Sequence, residues 1–187
     1  TGDFEAVTGN GQFGLTFDDA GRRFVCTNRN PCIEIVFEER DLKGHASIAV
    51  PKLVYDVAAA GEASRLFPLS KAWTTSTLHA GQFTAACGVL MYRSEGLGSD
   101  YIGNVFTCDP TGNLVHREQV TERGALLQGT PVPADREFLA SPDTWFRPVN
   151  LTQGPDGALY VVDMYRAVIE HPQFMPQELK ERPDLYD

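Results

Sequence analysis

The chain has 187 residues and a formal net charge of -9. This length is enough for a domain with a sizeable hydrophobic core. The acidic balance argues against a nucleic-acid-binding protein, which needs a basic surface stripe, and no apolar run in the sequence is long enough to span a membrane. The sequence also lacks a Gly-rich phosphate loop and a Gly-x-Ser-x-Gly motif, which disfavours nucleotide enzymes and hydrolases.

Three predicted β-hairpins recur along the chain, about 60 to 70 residues apart. They cover residues 13–28, 83–109 and 145–165, and the first and third have tight turns rich in Asp and Gly. The first two hairpins begin with the same Gly-Gln-Phe tripeptide, at 11–13 and 81–83. Such a period predicts an array of stacked sheets, because no single unit can bury both faces of its own sheet.

Further elements follow each hairpin in chain order. A third strand is predicted at 32–37 after the first hairpin and at 114–120 after the second, with a fourth strand beginning within 124–128. A short helix is predicted near the C-terminus at 176–181, where Pro occupies the first turn. The remaining segments contain loops and short extended stretches.

The predicted fold class is therefore all-β, with few or no helices. We expect a partial β-propeller of about three blades, in units of 11–80, 81–144 and 145–187. Three blades do not close a ring, since propellers have about four to eight. Residues 1–187 are thus interpreted as a fragment of one propeller domain, whose other blades come from the rest of the protein or from another chain.

Four cysteines fall on the predicted hairpins. Cys26 and Cys32 flank the turn between the second and third strands, and Cys87 and Cys108 lie on opposite strands of the second hairpin. Both pairs could meet the distance requirements of a disulfide, which would imply an oxidising compartment and export. The alternative is four buried free thiols. The spacings match no zinc ribbon and no Cys-x-x-Cys redox site.

A series of motifs carries a resemblance to a known family. The motifs, in order, cover residues 81–89, 101–106, 112–117, 145–149, 154–157, 163–166 and 170–172. The series resembles the propeller domain of membrane-bound dehydrogenases of planctomycetes and related bacteria. That family is similar to soluble glucose/sorbosone dehydrogenases, which use pyrroloquinoline quinone (PQQ) and calcium, and its members are often fused to a c-type cytochrome domain.

The resemblance implies an exported or periplasmic protein that oxidises a small sugar or alcohol. Electrons would pass to a c-type cytochrome domain or subunit, and the cofactors would be PQQ and calcium. This chain itself has no Cys-x-x-Cys-His motif, so we expect no covalent haem in it.

Propeller geometry predicts where the chemistry lies. The starts of the first strands and the ends of the second strands meet at one face, around a central channel. The residues predicted there are Gln12, 79–82 and 145–147 at strand starts, and 27–29, Asp109 and 163–166 at strand ends. Arginine pairs with carboxylates through a bidentate fork, and Tyr or Trp stacks on rings. This face is therefore predicted to hold an anionic quinone or a sugar.

Each candidate residue has a functional and a structural interpretation. Arg147 is predicted as a catalytic or cofactor-binding group, or as the structural partner of Asp163. Asp163 and Asp109 are predicted calcium ligands, or caps of turns. His79 is predicted as a general base, or as a hydrogen-bonded loop residue.

The remaining predicted cofactor-binding residues are Gln82, Tyr165 and Arg166. Two functions stay open at this point. One is a quinoprotein-like dehydrogenase, and the other is a non-catalytic propeller that binds a carbohydrate or a protein partner as a scaffold.

Overall fold

The computed structural model describes residues 2–45, 47–71, 80–169, 175 and 177–183. The described chain is mostly β, as predicted, and forms three antiparallel sheets. Its two α-helices, α1 (Glu39–Leu42) and α2 (Gln177–Lys180), have four residues each. Within the described ranges, no helix has the length and apolar character needed to cross a membrane.

The first sheet has four strands in sequence order. They are β1 (Leu15–Phe17), β2 (Arg23–Thr27), β3 (Asn30–Ile35) and β4 (Val54–Asp56). The predicted hairpin turn at 18–21 is present: Asp18 Oδ1 accepts the N–H groups of Ala20 and Arg22, and Gly21 has a φ of 79°. Asp and Gly thus close this turn through local contacts, which explains why the sequence alone predicted it.

The second sheet is the largest. It contains β5 (Cys87–Met91), β6 (Asn104–Asp109), β7 (Leu114–Arg123), β8 (Leu126–Pro131) and β9 (Leu139–Ala140), with β9 paired to β7. Its first strand, β5, begins four residues after the start of the predicted hairpin at residue 83. The amides of Thr84 and Ala85 bind the carboxylate of Asp109 and so do not extend the ladder.

The third sheet is a two-stranded hairpin of β10 (Pro148–Gln153) and β11 (Leu159–Asp163). Its turn is the predicted Gly-Pro-Asp-Gly segment, in which the Gly157 amide donates to the Gly154 carbonyl at 3.0 Å. Asp156 Oδ1 accepts the Ala158 amide at 3.1 Å and completes the turn.

The three sheets stack through their first strands, with β5 between β1 and β10. The Gly88 amide of β5 donates to the carbonyl of Phe13, which precedes β1, at 2.7 Å. On the other side, a Cβ added to Gly88 would lie 2.6 Å from Asn150 Cα of β10. Glycine at position 88 therefore allows the close approach of two backbones, and its φ of 61° also favours glycine.

Two hydrophobic clusters fill the spaces between the sheets. The first joins sheets one and two and consists of Phe24, Cys26, Cys32, Val57, Ala58, Val89, Met91, Val105 and Leu127. The second joins sheets two and three and consists of Cys87, Tyr92, Phe106, Cys108, Val115 and Leu151. In the described part of the chain the sheets form an open stack and do not close into a ring.

The predicted disulfides are wrong: all four cysteines are buried free thiols. Cys87 and Cys108 do lie opposite each other in the register of β5 and β6. However, Cys87 Sγ lies 3.9 Å from the Pro148 carbonyl oxygen of the third sheet, to which it donates. Cys26 falls within a register shift between β2 and β3, where it is not directly paired with Cys32. The thiols therefore act as small apolar core groups.

Candidate functional site

A continuous set of hydrogen bonds runs along one edge of the sheet stack. It connects the starts of first strands with the ends of second strands. The bonds are Asn28 N to Gln12 Oε1 (3.1 Å), Ala86 N to Asn28 O (3.0 Å), Thr84 N to Asp109 Oδ2 (3.1 Å), Arg147 Nη1 to Pro110 O (2.6 Å) and Arg166 N to Trp145 O (3.1 Å). We call this the shared edge. It brings together residues from all three hairpins.

Arg147 lies at this edge and is 5% exposed. Its guanidinium donates to three main-chain carbonyls: Nη1 to Pro110 at 2.6 Å, Nη2 to Ala167 at 2.8 Å and Nε to Arg166 at 3.2 Å. These bonds tie the segment after β6 to the segment after β11. The structural interpretation named Asp163 as the partner of Arg147, and Asp163 Oδ1 accepts a bond from the main-chain N–H of Arg147. The catalytic role of Arg147 stays a prediction.

Asp163 ends β11 and organises the turn that follows. Its Oδ1 accepts the main-chain N–H groups of Arg147 at 2.8 Å and Tyr165 at 2.9 Å. These bonds hold Tyr165 at a φ of 45°, a left-handed conformation that is uncommon for a residue other than glycine. Asp163 therefore sets the direction in which Tyr165 leaves the strand.

Tyr165 and Trp145 form an aromatic pair at the shared edge. Their ring centroids are 5.7 Å apart at an angle of 48°, and Tyr165 is 58% exposed. The charge of Asp143 and a hydrogen bond to it raise the pKa of Tyr165. Arg166, the next residue, is exposed as well. The pair offers an accessible aromatic surface with a cation beside it in sequence.

Asp109 is 1% exposed and lies beneath the same edge. Its oxygens accept the amides of Thr84, Ala85 and Gly112. Burial raises the pKa of Asp109, while these amide bonds act in the opposite direction. Within the described ranges, no group of three or more His, Cys, Asp or Glu residues is arranged to hold a metal ion. The calcium-ligand roles of Asp109 and Asp163 stay predictions.

Gln82 is half-buried just before β5, and its Oε1 accepts a hydrogen bond from Arg29 Nη2 at 3.0 Å. The bond joins the turn between β2 and β3 to the second sheet. Sequence analysis placed Arg29 on this face but gave it no role. His79, the predicted general base, lies outside the described residues.

A second polar cluster lies inside the second sheet. His116 Nδ1 is 2.7 Å from Glu137 Oε2, and His116 Nε2 is 3.2 Å from Glu118 Oε1, with all three side chains buried. Burial lowers the pKa of His116, but its bonds to Glu118 and Glu137 outweigh burial and raise the pKa to about 9. Glu137 Oε1 also accepts the Phe67 amide at 2.8 Å. This cluster fastens a distant loop to β7.

A protein-family model described as "Domain of unknown function (DUF7133)" matches residues 1–187. The chain belongs to the DUF7133 family. No curated protein and no solved structure matches it. The description of DUF7133 carries no activity, so the residues at the shared edge are the basis for assigning a function to this DUF7133 domain.

Proposed function

We propose that this chain forms part of the propeller of a quinoprotein-like dehydrogenase. The enzyme oxidises a sugar or an alcohol and passes electrons to a c-type cytochrome domain or subunit in the periplasm. The main support is the shared edge, where the second hairpin contributes Gln82 and the third contributes the Trp145–Tyr165 pair and Arg166. Aromatic rings next to a cation suit a flat anionic ring or a sugar.

The side chains at the edge fit PQQ in their chemistry. Tyr165 and Trp145 stack on a planar ring system, and the guanidinium of Arg166 pairs with a carboxylate. PQQ, when bound, supplies the two-electron acceptor for substrate oxidation. In this proposal the chain's own residues bind and orient, and Asp163 fixes the direction of Tyr165 through two main-chain bonds.

The two predicted calcium ligands, Asp109 and Asp163, differ in solvent exposure. Asp109 is buried and already accepts several amides, whereas Asp163 is exposed at the edge. If calcium is part of the site, Asp163 is the ligand that this chain contributes, since hard oxygen ligands suit the ion. Proton abstraction from the substrate is assigned to His79, which lies outside the described residues.

A second candidate function is a non-catalytic scaffold that binds a carbohydrate or a protein partner. One observation favours it. Arg147, Asp109 and Asp163, three of the predicted functional groups, all bind main-chain atoms in the structure. A site whose charged groups stabilise loops has fewer groups for chemistry, while the exposed Tyr165 and the half-buried Trp145 still serve ligand binding.

Reduction of a redox dye separates the two functions. The purified protein would receive PQQ and Ca²⁺, followed by a panel of sugars and alcohols. Dye reduction that requires both PQQ and a substrate would support the dehydrogenase. We expect Arg166→Ala to weaken PQQ binding by about tenfold, because one charge-assisted pair is removed. Arg93→Ala, at an exposed arginine that pairs with Asp19, serves as the matched control. Ligand binding without dye reduction would favour the scaffold.

A further inference from the structure

Among the described residues, Arg29 combines two features: it makes no ion pair, and its buried Nε has no hydrogen-bond partner. It lies in the turn between β2 and β3 and is half-buried, and its carbonyl accepts the Gly61 amide at 2.9 Å. Arg22 and Arg23 pair with the carboxylates of Asp18 and Glu38. Arg29, in contrast, makes no ion pair with any residue in the described ranges. Arg117 is also half-buried without an ion pair in the described ranges, but its Nε donates to Asn104 Oδ1 and its guanidinium lies over the Tyr101 ring.

The hydrogen bonds of the Arg29 guanidinium are incomplete. Nη2 donates to Gln82 Oε1 at 3.0 Å, whereas Nε is buried and has no hydrogen-bond partner among the described residues. The Nε–H and one Nη2–H point in parallel and form a two-pronged donor. The single carbonyl oxygen of Gln82 is neutral and accepts a hydrogen bond from only one of these two N–H groups. A carboxylate has two oxygens with the matching spacing and a charge, so it would satisfy both.

We propose that Arg29 anchors a carboxylate-binding subsite of the shared edge and that Gln82 occupies this subsite in place of the ligand. A ligand carboxylate takes the position of Gln82 Oε1 at Nη2 and adds a second bond to Nε. In this proposal the Gln82 side chain leaves Nη2 as the carboxylate binds, and the carboxylate then also accepts the buried Nε–H. Gln82 therefore competes with the ligand, although sequence analysis predicted that it binds the cofactor.

The position of Arg29 supports a ligand role. Asn28, its neighbour, donates to Gln12 Oε1 and accepts from Ala86, which places Arg29 within the hydrogen-bonded edge. The inference deepens the proposed function, since it names a carboxylate-bearing molecule as the ligand class. The inference rests on the proposed function only for the identity of the ligand. The geometry of the Arg29 guanidinium favours a carboxylate whichever molecule carries it.

The probe is benzene-1,3,5-tricarboxylate, with benzene-1,3,5-trimethanol as its uncharged counterpart. Titration calorimetry measures affinity, and arginine Nε–Hε NMR resonances, assigned by triple-resonance experiments on the unsubstituted protein, report on Arg29 directly. We expect the tricarboxylate to bind and to shift the Arg29 resonance, while the trimethanol does neither. A tricarboxylate that leaves the Arg29 resonance unchanged would overturn the proposal, and this readout requires no variant to fold.

Substitutions test the competition between Gln82 and the ligand. We expect Arg29→Gln to weaken tricarboxylate binding by about tenfold, since the charged fork is lost. Gln82→Ala should strengthen binding severalfold, whereas a residue that merely supports the loop would weaken it. Arg93→Gln is the exposed control and should change the affinity by less than about twofold. Unchanged affinity in Arg29→Gln, or weaker binding in Gln82→Ala, would contradict the proposal.

The same titrations distinguish failure of this inference from failure of the proposed function. Tricarboxylate binding through Arg29 with no PQQ-dependent dye reduction would retain the subsite and reject the dehydrogenase. PQQ-dependent reduction that is unaffected by Arg29→Gln, with no shift of the Arg29 resonance, would retain the enzyme and reject the subsite.

Discussion

At the scale of single residues, the buried His116 cluster makes stability depend on pH. The pKa of His116 is about 9 in the folded chain, above the ordinary value of 6.5. Its contribution is therefore fully present below pH 6.5 and is lost as pH rises through 9. We expect the free energy of unfolding to fall by on the order of 2–3 kcal/mol over this range. Urea unfolding at several pH values measures the slope.

The control for this prediction is direct observation of the His116 imidazole. Its ¹⁵N resonances should show a protonated ring at pH 8, because Glu118 and Glu137 contact both ring nitrogens. In His116→Gln the pH slope assigned to the imidazole should disappear, with lower stability below pH 9, where two buried carboxylates lose their cation. A ring that titrates near pH 6.5 would contradict the account.

The four thiols give a second prediction at this scale. Burial raises the pKa of Cys87 to about 12 and also raises those of Cys26, Cys32 and Cys108. Because the thiolate is the reactive form, we expect almost no reaction with a thiol reagent in the folded protein and four equivalents after unfolding. Intact mass after alkylation under denaturing, non-reducing conditions counts the thiols. Fewer than four labels would show that a disulfide forms.

At the scale of elements, Gly88 controls the contact between the second and third sheets. We expect Gly88→Ala to destabilise the chain by more than about 2 kcal/mol, since the new methyl group meets the Asn150 backbone and the φ is positive. Gly21→Ala is the matched control, with a positive φ but open space around it, and should cost about 1 kcal/mol. Thermal unfolding compares the two. Equal losses would mean that the sheets do not meet closely at Gly88.

The sequence predicted the hairpins better than their side-chain contacts, for a physical reason. Turns such as Gly-Pro-Asp-Gly at 154–157 are fixed by neighbouring residues, so their chemistry is visible locally. The bonds of Arg147 to Pro110 and of His116 to Glu137 span 37 and 21 positions. No local pattern encodes such partners. The same limit applies to the cysteines, since the register of β5 and β6 was predicted but the contact of Cys87 with Pro148 was not.

At the scale of the whole molecule, the open stack leaves apolar side chains uncovered at both ends. Leu15 and Phe17 are exposed on the first sheet, and Tyr160 and Val162 on the third. We expect the isolated chain to self-associate with increasing concentration, because exposed apolar sheet faces favour association. Sedimentation velocity measures this, and Leu15→Thr with Val162→Thr should reduce it. A monodisperse monomer at high concentration would contradict the prediction.

The central claim is that the shared edge of the three sheets binds an anionic ring ligand. The most direct test is titration calorimetry of PQQ into the protein, with Tyr165→Ala and Arg166→Ala compared with Arg93→Ala. The account predicts saturable binding to the unsubstituted protein, weakened by about tenfold in each edge variant and unchanged in the control. The absence of PQQ binding, or equal binding in all variants, would contradict it.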